Sequence, residues 1–242
     1  MGKNDSSLST PIKSSSVLER VMDRIKYALI NKELKPGDYL PSETELVNNL
    51  GVGKTSVREA IKMLQALGIV EVRQGHGTII RKSTEQETIN PLVFQLMTQQ
   101  GTNKDIVDLR GMFEPAYTMM AMQSATAEDI NNIKLTIDNL ENKVKQGIQD
   151  VEDDMIFHRT ILGSTHNPFV IKIGETILQL FEASMQKSVK AIPDRALHDH
   201  KVIFNAFCSG DEVKLQEAVF ESFKGWKSIF LNEQKEKNKN KL

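Results

Sequence analysis

The spacing of apolar residues in this chain changes period only once. In "IVEVRQGHGTIIR" the side chains alternate over Ile69–Arg73 and again over Thr78–Arg81, on either side of Gln74-Gly75-His76-Gly77. Alternation about a glycine-rich tip predicts a β-hairpin. Everywhere else the apolar residues recur at helical spacing, which predicts a mainly α protein carrying a single small ribbon.

Three helical segments precede the hairpin. Val17, Leu18, Val21, Ile25, Ala28 and Leu29 share one helix face, and Pro36-Gly37 ends that pattern. Ser42 followed by Glu45 forms a capping box, in which each side chain satisfies a free N–H at a helix start, so a short second helix is expected over 43–50 with Gly51 closing it. A third begins near Gly53 and turns Val57, Ile61, Leu64 and Leu67 inward until Gly68.

Gly53-Lys54-Thr55 could belong to a phosphate-binding loop, but that loop needs a glycine where this chain has Asn48, and it must follow a strand. Here it lies in the tight turn between two helices. Lys54, Arg58 and Lys62 are spaced four apart, opposite the apolar stripe, with Thr55 and Ser56 among them. A cationic stripe at the start of the second helix of a helix-turn-helix suits a recognition helix in a major groove. It suits an ordinary solvated face as well. Three helices and a hairpin make a winged helix, whose small tip brings backbone close to a minor groove, with Arg73 and His76 as polar contacts; the Gly-His-Gly could also be a plain turn.

Charge is distributed in keeping with a nucleic-acid reader joined to an acidic module. Residues 1–82 hold 13 Lys and Arg against 9 Asp and Glu, and the remainder holds 18 against 23. No apolar run approaches the roughly 20 residues of a membrane span. The polar start without an apolar signal core predicts no export, and the single Cys208 fits a reducing cytoplasm.

The stretch "LKPGDYLPSETELVNNLGVGKTSVREAIKMLQALGIVEVRQGHGTII" resembles the DNA-binding domain of the GntR family of bacterial transcription regulators, in its PG-x-x-LPSE-x-EL, SVREA and QG-x-GT signatures. The resemblance implies that Thr44, Lys54 and Arg58 face an operator and that Gly75, His76 and Gly77 form the minor-groove tip. Lys54 stands where arginine is common in the family, keeping the charge while losing the bidentate fork that reads guanine. Gly53 stands where a capping serine is common, at a cost of a few tenths of a kcal/mol, roughly.

Beyond the linker-like "KSTEQET", six or seven helices are expected: 89–99, 104–123, 127–146, 151–163, 168–190, 196–209 and 211–231, with "NEQKEKNKNKL" as a mobile tail. Thr126 with Asp129, Gly147, Asn167-Pro168, Pro193 and Gly210 punctuate them. The domain reading is a disordered 1–13, a winged helix over 14–82, a linker over 83–88, a helical effector-binding and dimerisation domain over 89–232, and a tail over 233–242.

Asp154 and His158 lie four apart on one helix face, close enough to share a cation, and His200 shares an inward face with Ile203 and Phe207. Such a mixed N/O set suits a divalent transition metal such as zinc, nickel or manganese. A surface Asp–His hydrogen bond and a satisfied core histidine account for the same residues.

Residues 89–231 resemble the helical C-terminal domain of the FadR subgroup, the FCD domain, through "DLRGMFEPA", "DDMIFHRTIL", "HNPF" and "HDHKVIFNAFCSGD". Metal-binding members use an Asp-x-x-x-His pair and two later histidines, which map to Asp154, His158 and His200. The fourth falls on Ser222, a poor ligand that leaves room for water or an effector oxygen. The resemblance also implies that Arg110 faces the central cavity, where its planar fork suits an effector carboxylate or an ion pair with Glu114.

The combined expectation is a cytoplasmic regulator, not an enzyme, that binds a palindromic operator in double-stranded DNA as a homodimer. A small carboxylate such as a sugar acid or hydroxy acid releases repression, through a metal held by Asp154, His158 and His200, with Arg110 and Ser222 as effector contacts. The alternatives are a metal-free FadR-type sensor of an acyl thioester and a metal-dependent hydrolase.

Overall fold

Capping chemistry sets where the first helices begin. In the computed structural model, which describes residues 16–82, 91–185 and 193–239, Ser16 and Glu19 exchange hydrogen bonds at the start of α1 (Val17–Ile30). Ser42 and Glu45 do the same for α2 (Glu43–Leu50), which Gly51 ends in the left-handed conformation that favours glycine. α3 (Lys54–Ala66) starts at Gly53 with no side-chain cap. β1 (Val70–Arg73) and β2 (Gly77–Ile80) pair antiparallel, Val70 opposite Ile80 and Arg73 opposite Gly77. The tip closes when the His76 N–H donates to the Arg73 carbonyl, with Gly75 at φ +77° supplying the backbone angle that an L side chain would resist.

One pairing escaped the sequence reading. Tyr39 bridges Ile79, and the Leu40 N–H donates to the Thr78 carbonyl, so the Gly37–Leu40 segment lines the edge of the hairpin. Val21, Ile25, Leu40, Ala60, Leu64, Val70 and Ile80 form the core beneath, and Leu46, Val57 and Ile61 seal α2 onto α3.

Chain contacts divide at Pro91–Leu92, and the second unit is helical among the described residues. Its elements are α4 (Pro91–Met97), α5 (Asn103–Ser124), α6 (Ala127–Gln146), α7 (Val151–Gly163), α8 (Pro168–Met185), α9 (Pro193–Ser209) and α10 (Glu212–Lys239). Thr126 and Asp129 cap α6, Gly147 ends it at φ +68°, and the Asn167 carboxamide accepts from the N–H groups of Phe169 and Val170 to start α8. "HNPF" is therefore helix-start chemistry. α5 packs against α7, α8 and α10, and α6 against α7 and α9. Val107, Ile133, Phe157, Ile161, Phe181, Phe207 and Leu215 are among the side chains that fill the space they enclose.

Some boundaries differ from expectation. α9 begins at Pro193, whose fixed φ and missing N–H suit a first helical turn. α10 continues to Lys239, through most of the segment read as a mobile tail. The expected disordered 1–13, the linker 83–88, Ile89 and the end of the 168–190 helix lie outside the described residues.

Candidate functional site

On the first unit, burial of Val57, Ala60, Ile61 and Leu64 leaves Lys54, Thr55, Arg58 and Lys62 exposed on the other side of α3. Ser56 is half-buried, and Thr44 is exposed on α2. Arg58 is not sealed in the fold: its Nε donates to Glu43 Oε2 at 2.8 Å, with more than half of its side chain still exposed. An exposed pair of this kind contributes little stability. It does tie the Arg58 side chain to the start of α2. At the hairpin, Arg73 pairs with Glu71, while Gly75, His76 and Gly77 are exposed at the tip.

On the second unit, four helices converge on a buried polar cluster. Arg110, Glu114 and Tyr117 lie at positions i, i+4 and i+7 of α5 and so form one stripe. Asp154 and His158 come from α7, His200 from α9, and Phe181 from α8. The Arg110 Nε donates to Glu114 Oε2 at 2.7 Å, and the guanidinium lies 4.0 Å from the centre of the Phe181 ring. Arg110 Nη2 also lies 2.9 Å from His158 Nε2. Because a guanidinium can only donate, Nε2 is the acceptor, and the His158 proton sits on Nδ1, which donates to Glu114 Oε1 at 2.7 Å.

The Asp154 carboxylate stands between the histidines. Its Oδ1 is 3.1 Å from His200 Nε2 and its Oδ2 is 3.8 Å from His158 Nε2, and one ligand atom from each of the three residues falls within 4.8 Å of the others. Burial by itself would raise the Asp154 pKa, but the His200 hydrogen bond and the charges of His200, His158 and Arg110 bring it down to about 2. Burial pushes His200 the other way, below the usual histidine range, against the pull of Asp154. Burial also works against the Glu114 carboxylate, yet Arg110 and His158 hold it well below the carboxylate range.

An ionised carboxylate and an imidazole kept neutral are the states a divalent cation requires. Glu114 fixes His158 Nδ1–H as outer partners of metal-bound histidines do, leaving Nε2 turned toward Asp154. His200, only 2% exposed and stacked on Phe157, has no partner for its Nδ1 among the described residues. Asp154, His158 and His200 together could hold a metal ion.

Two comparisons by sequence bear on this geometry. The description "Bacterial regulatory proteins, gntR family" matches residues 18–80, and the FCD domain matches residues 105–224. The chain belongs to the GntR family. With an FCD domain behind its winged helix it is of the FadR type, a DNA-binding transcription regulator.

Relatives of this GntR protein include the HTH-type transcriptional regulator LutR of Bacillus subtilis, 26% identical over 78% of this chain and 90% of that protein. The Glc operon transcriptional activator of Escherichia coli K12 is 27% identical over 78% of this chain and 79% of its own length. Among solved structures, Streptococcus agalactiae GntR shares the fold with a TM-score of 0.66, at 24% identity over 86% of this chain and 97% of the other. These families and relatives are regulators, not enzymes. No helix among the described residues is long and apolar enough to cross a membrane.

Ser222, expected at the fourth ligand position, lines a groove between α9 and α10 together with His198, Asp199 and Glu217. Arg110 lies in the cluster, paired with Glu114.

Tyr117 was missed. It is 3% exposed, and its hydroxyl has no partner among the described residues. Burial pushes that phenol well up, and the nearby charges of Glu114 and Asp154 add to the rise. Its i+7 spacing from Arg110 was legible, but nothing in the sequence marked the hydroxyl as unpaired.

Proposed function

We propose that this regulator senses a small carboxylate in the α5–α7–α9 cluster and that occupancy there changes how two winged helices grip a palindromic operator. The observation that carries this reading is a guanidinium, Arg110, buried beside three converging metal-type donors, Asp154, His158 and His200. A core whose only task was stability would be served as well by apolar side chains.

In this reading Asp154, His158 and His200 hold a divalent cation, which supplies a Lewis-acidic contact to an effector oxygen when bound. Arg110 binds the effector carboxylate, Glu114 keeps His158 in the tautomer that presents Nε2, and Phe181 shields the guanidinium from water. On the first unit, Lys54, Arg58 and Lys62 meet major-groove edges and phosphates, with Thr44, Thr55 and Ser56 beside them. Arg73, Gly75, His76 and Gly77 approach the minor groove. One head contacts too few bases for tight specific binding, so a homodimer on a two-fold operator is required. Effector binding favours one arrangement of the heads and shifts the operator equilibrium by its differential affinity.

Relatives include an activator, and the HTH-type transcriptional repressor NanR of Salmonella newport at 26% identity over 78% of this chain. Repression released by the effector is the sign proposed here. The test is calorimetric titration of the full chain with sugar acids and hydroxy acids before and after chelation. Carboxylate binding that weakens on chelation supports the reading, and binding unchanged by chelation removes the metal from it. A metal-free sensor has one specific observation in its favour: Arg110 already provides a cation at His158. Elemental analysis of untagged protein separates the two.

A further inference from the structure

The donor that a metal would use on His158 is already taken. We propose that Arg110 and a divalent cation compete for the lone pair of His158 Nε2, so that the arginine acts as an internal plug of the metal site until an anion draws it away. The inference rests on the metal reading above.

The competition follows from the two nitrogens of one ring. An imidazole nitrogen has a single in-plane lone pair, and at Nε2 that pair accepts from Arg110 Nη2 at 2.9 Å. Nδ1 offers no substitute, because its proton is committed to Glu114 Oε1 at 2.7 Å. Asp154 and His200 complete the donor set on the same side, so a cation reaching all three must displace the guanidinium nitrogen from His158. Two positive charges held this close in a poorly hydrated site repel strongly.

The way Arg110 is held permits the displacement. Its Nε bond to Glu114 is short at 2.7 Å and the guanidinium is seated on Phe181, whereas its second contact with Glu114, from Nη2 to Oε1, is stretched to 3.5 Å. Toward Glu114, Nη2 is the more loosely held end of the group. It can leave His158 while Nε keeps the buried Glu114 paired. A carboxylate between cation and guanidinium would satisfy the released N–H and screen the repulsion, so anion and metal strengthen each other's binding by the same factor.

The full chain, stripped with a chelator, is titrated calorimetrically with zinc alone, alongside Arg110→Gln and the double variant R110M/E114Q. The double variant leaves no unpaired buried carboxylate, and its new amide still accepts from His158. Without the plug, both variants bind zinc more tightly than the unaltered chain by roughly tenfold or more, the factor expected when one charge-assisted hydrogen bond need not be broken. Equal or weaker zinc binding by the folded variants overturns the plug while leaving the metal reading intact. Failure of all three proteins to bind zinc overturns the metal reading itself, and the plug with it. Should neither variant fold, nitrogen-15 arginine spectra of the unaltered chain decide: zinc must shift the Arg110 side-chain resonances, and unchanged resonances under saturating zinc refute the competition.

Discussion

At the scale of single residues, the buried cluster is a set of charges that balance only together. Asp154 has a pKa of about 2, below the unfolded value of about 3.9. A depressed carboxylate pKa stabilises the fold at any pH above the unfolded value, and that contribution is lost as the pH falls through about 2. The shift corresponds to about 2–3 kcal/mol. Acid unfolding followed by circular dichroism should therefore show a steep loss below about pH 4, shallower in Asp154→Asn. Tyr117 sits at the opposite extreme, a buried hydroxyl with no partner among the described residues. Tyr117→Phe removes that unpaired group without leaving a cavity, and should raise stability in the absence of effector by about 1 kcal/mol. A loss of stability in urea denaturation would mean that the hydroxyl has a partner after all.

At the scale of elements, close approach between helices is what brings the donors together. Gly111 follows Arg110 on α5, and a Cβ there would lie 2.4 Å from the Phe223 ring on α10. An aromatic ring cannot yield that space by a small rotation, so Gly111→Ala should force α5 and α10 apart and cost about 1–3 kcal/mol. Because Arg110 is carried by the same turn, that variant should also disturb the contact with His158, visible as a changed zinc affinity. α3 follows the same logic at the surface, where burial of one stripe dictates which side chains stay exposed for DNA.

At the scale of the whole molecule, every surface residue of a two-fold assembly acts twice. The salt dependence of duplex binding counts phosphate contacts, with a slope near −0.9 for each on double-stranded DNA. If Lys62 meets a phosphate in each head of a dimer, Lys62→Ala should reduce the slope by about 2, and by about 1 if a single head binds. An unchanged slope would place Lys62 away from the backbone. The measurement thus reads interface and stoichiometry in one titration.

The elements and both matched families were legible in the sequence because their signals are local. Ser42 caps through Glu45 three residues away, Thr126 through Asp129, and the Asp154–His158 pair is a property of one helix turn. The LPSE and SVREA motifs compress such local signals into a recognisable string. What periodicity could not supply was the phase of one helix against another. That phase set Arg110 against His158, 48 positions along the chain. Local spacing decides which side chains share a face; only packing decides what that face meets, since its partners come from helices distant in sequence.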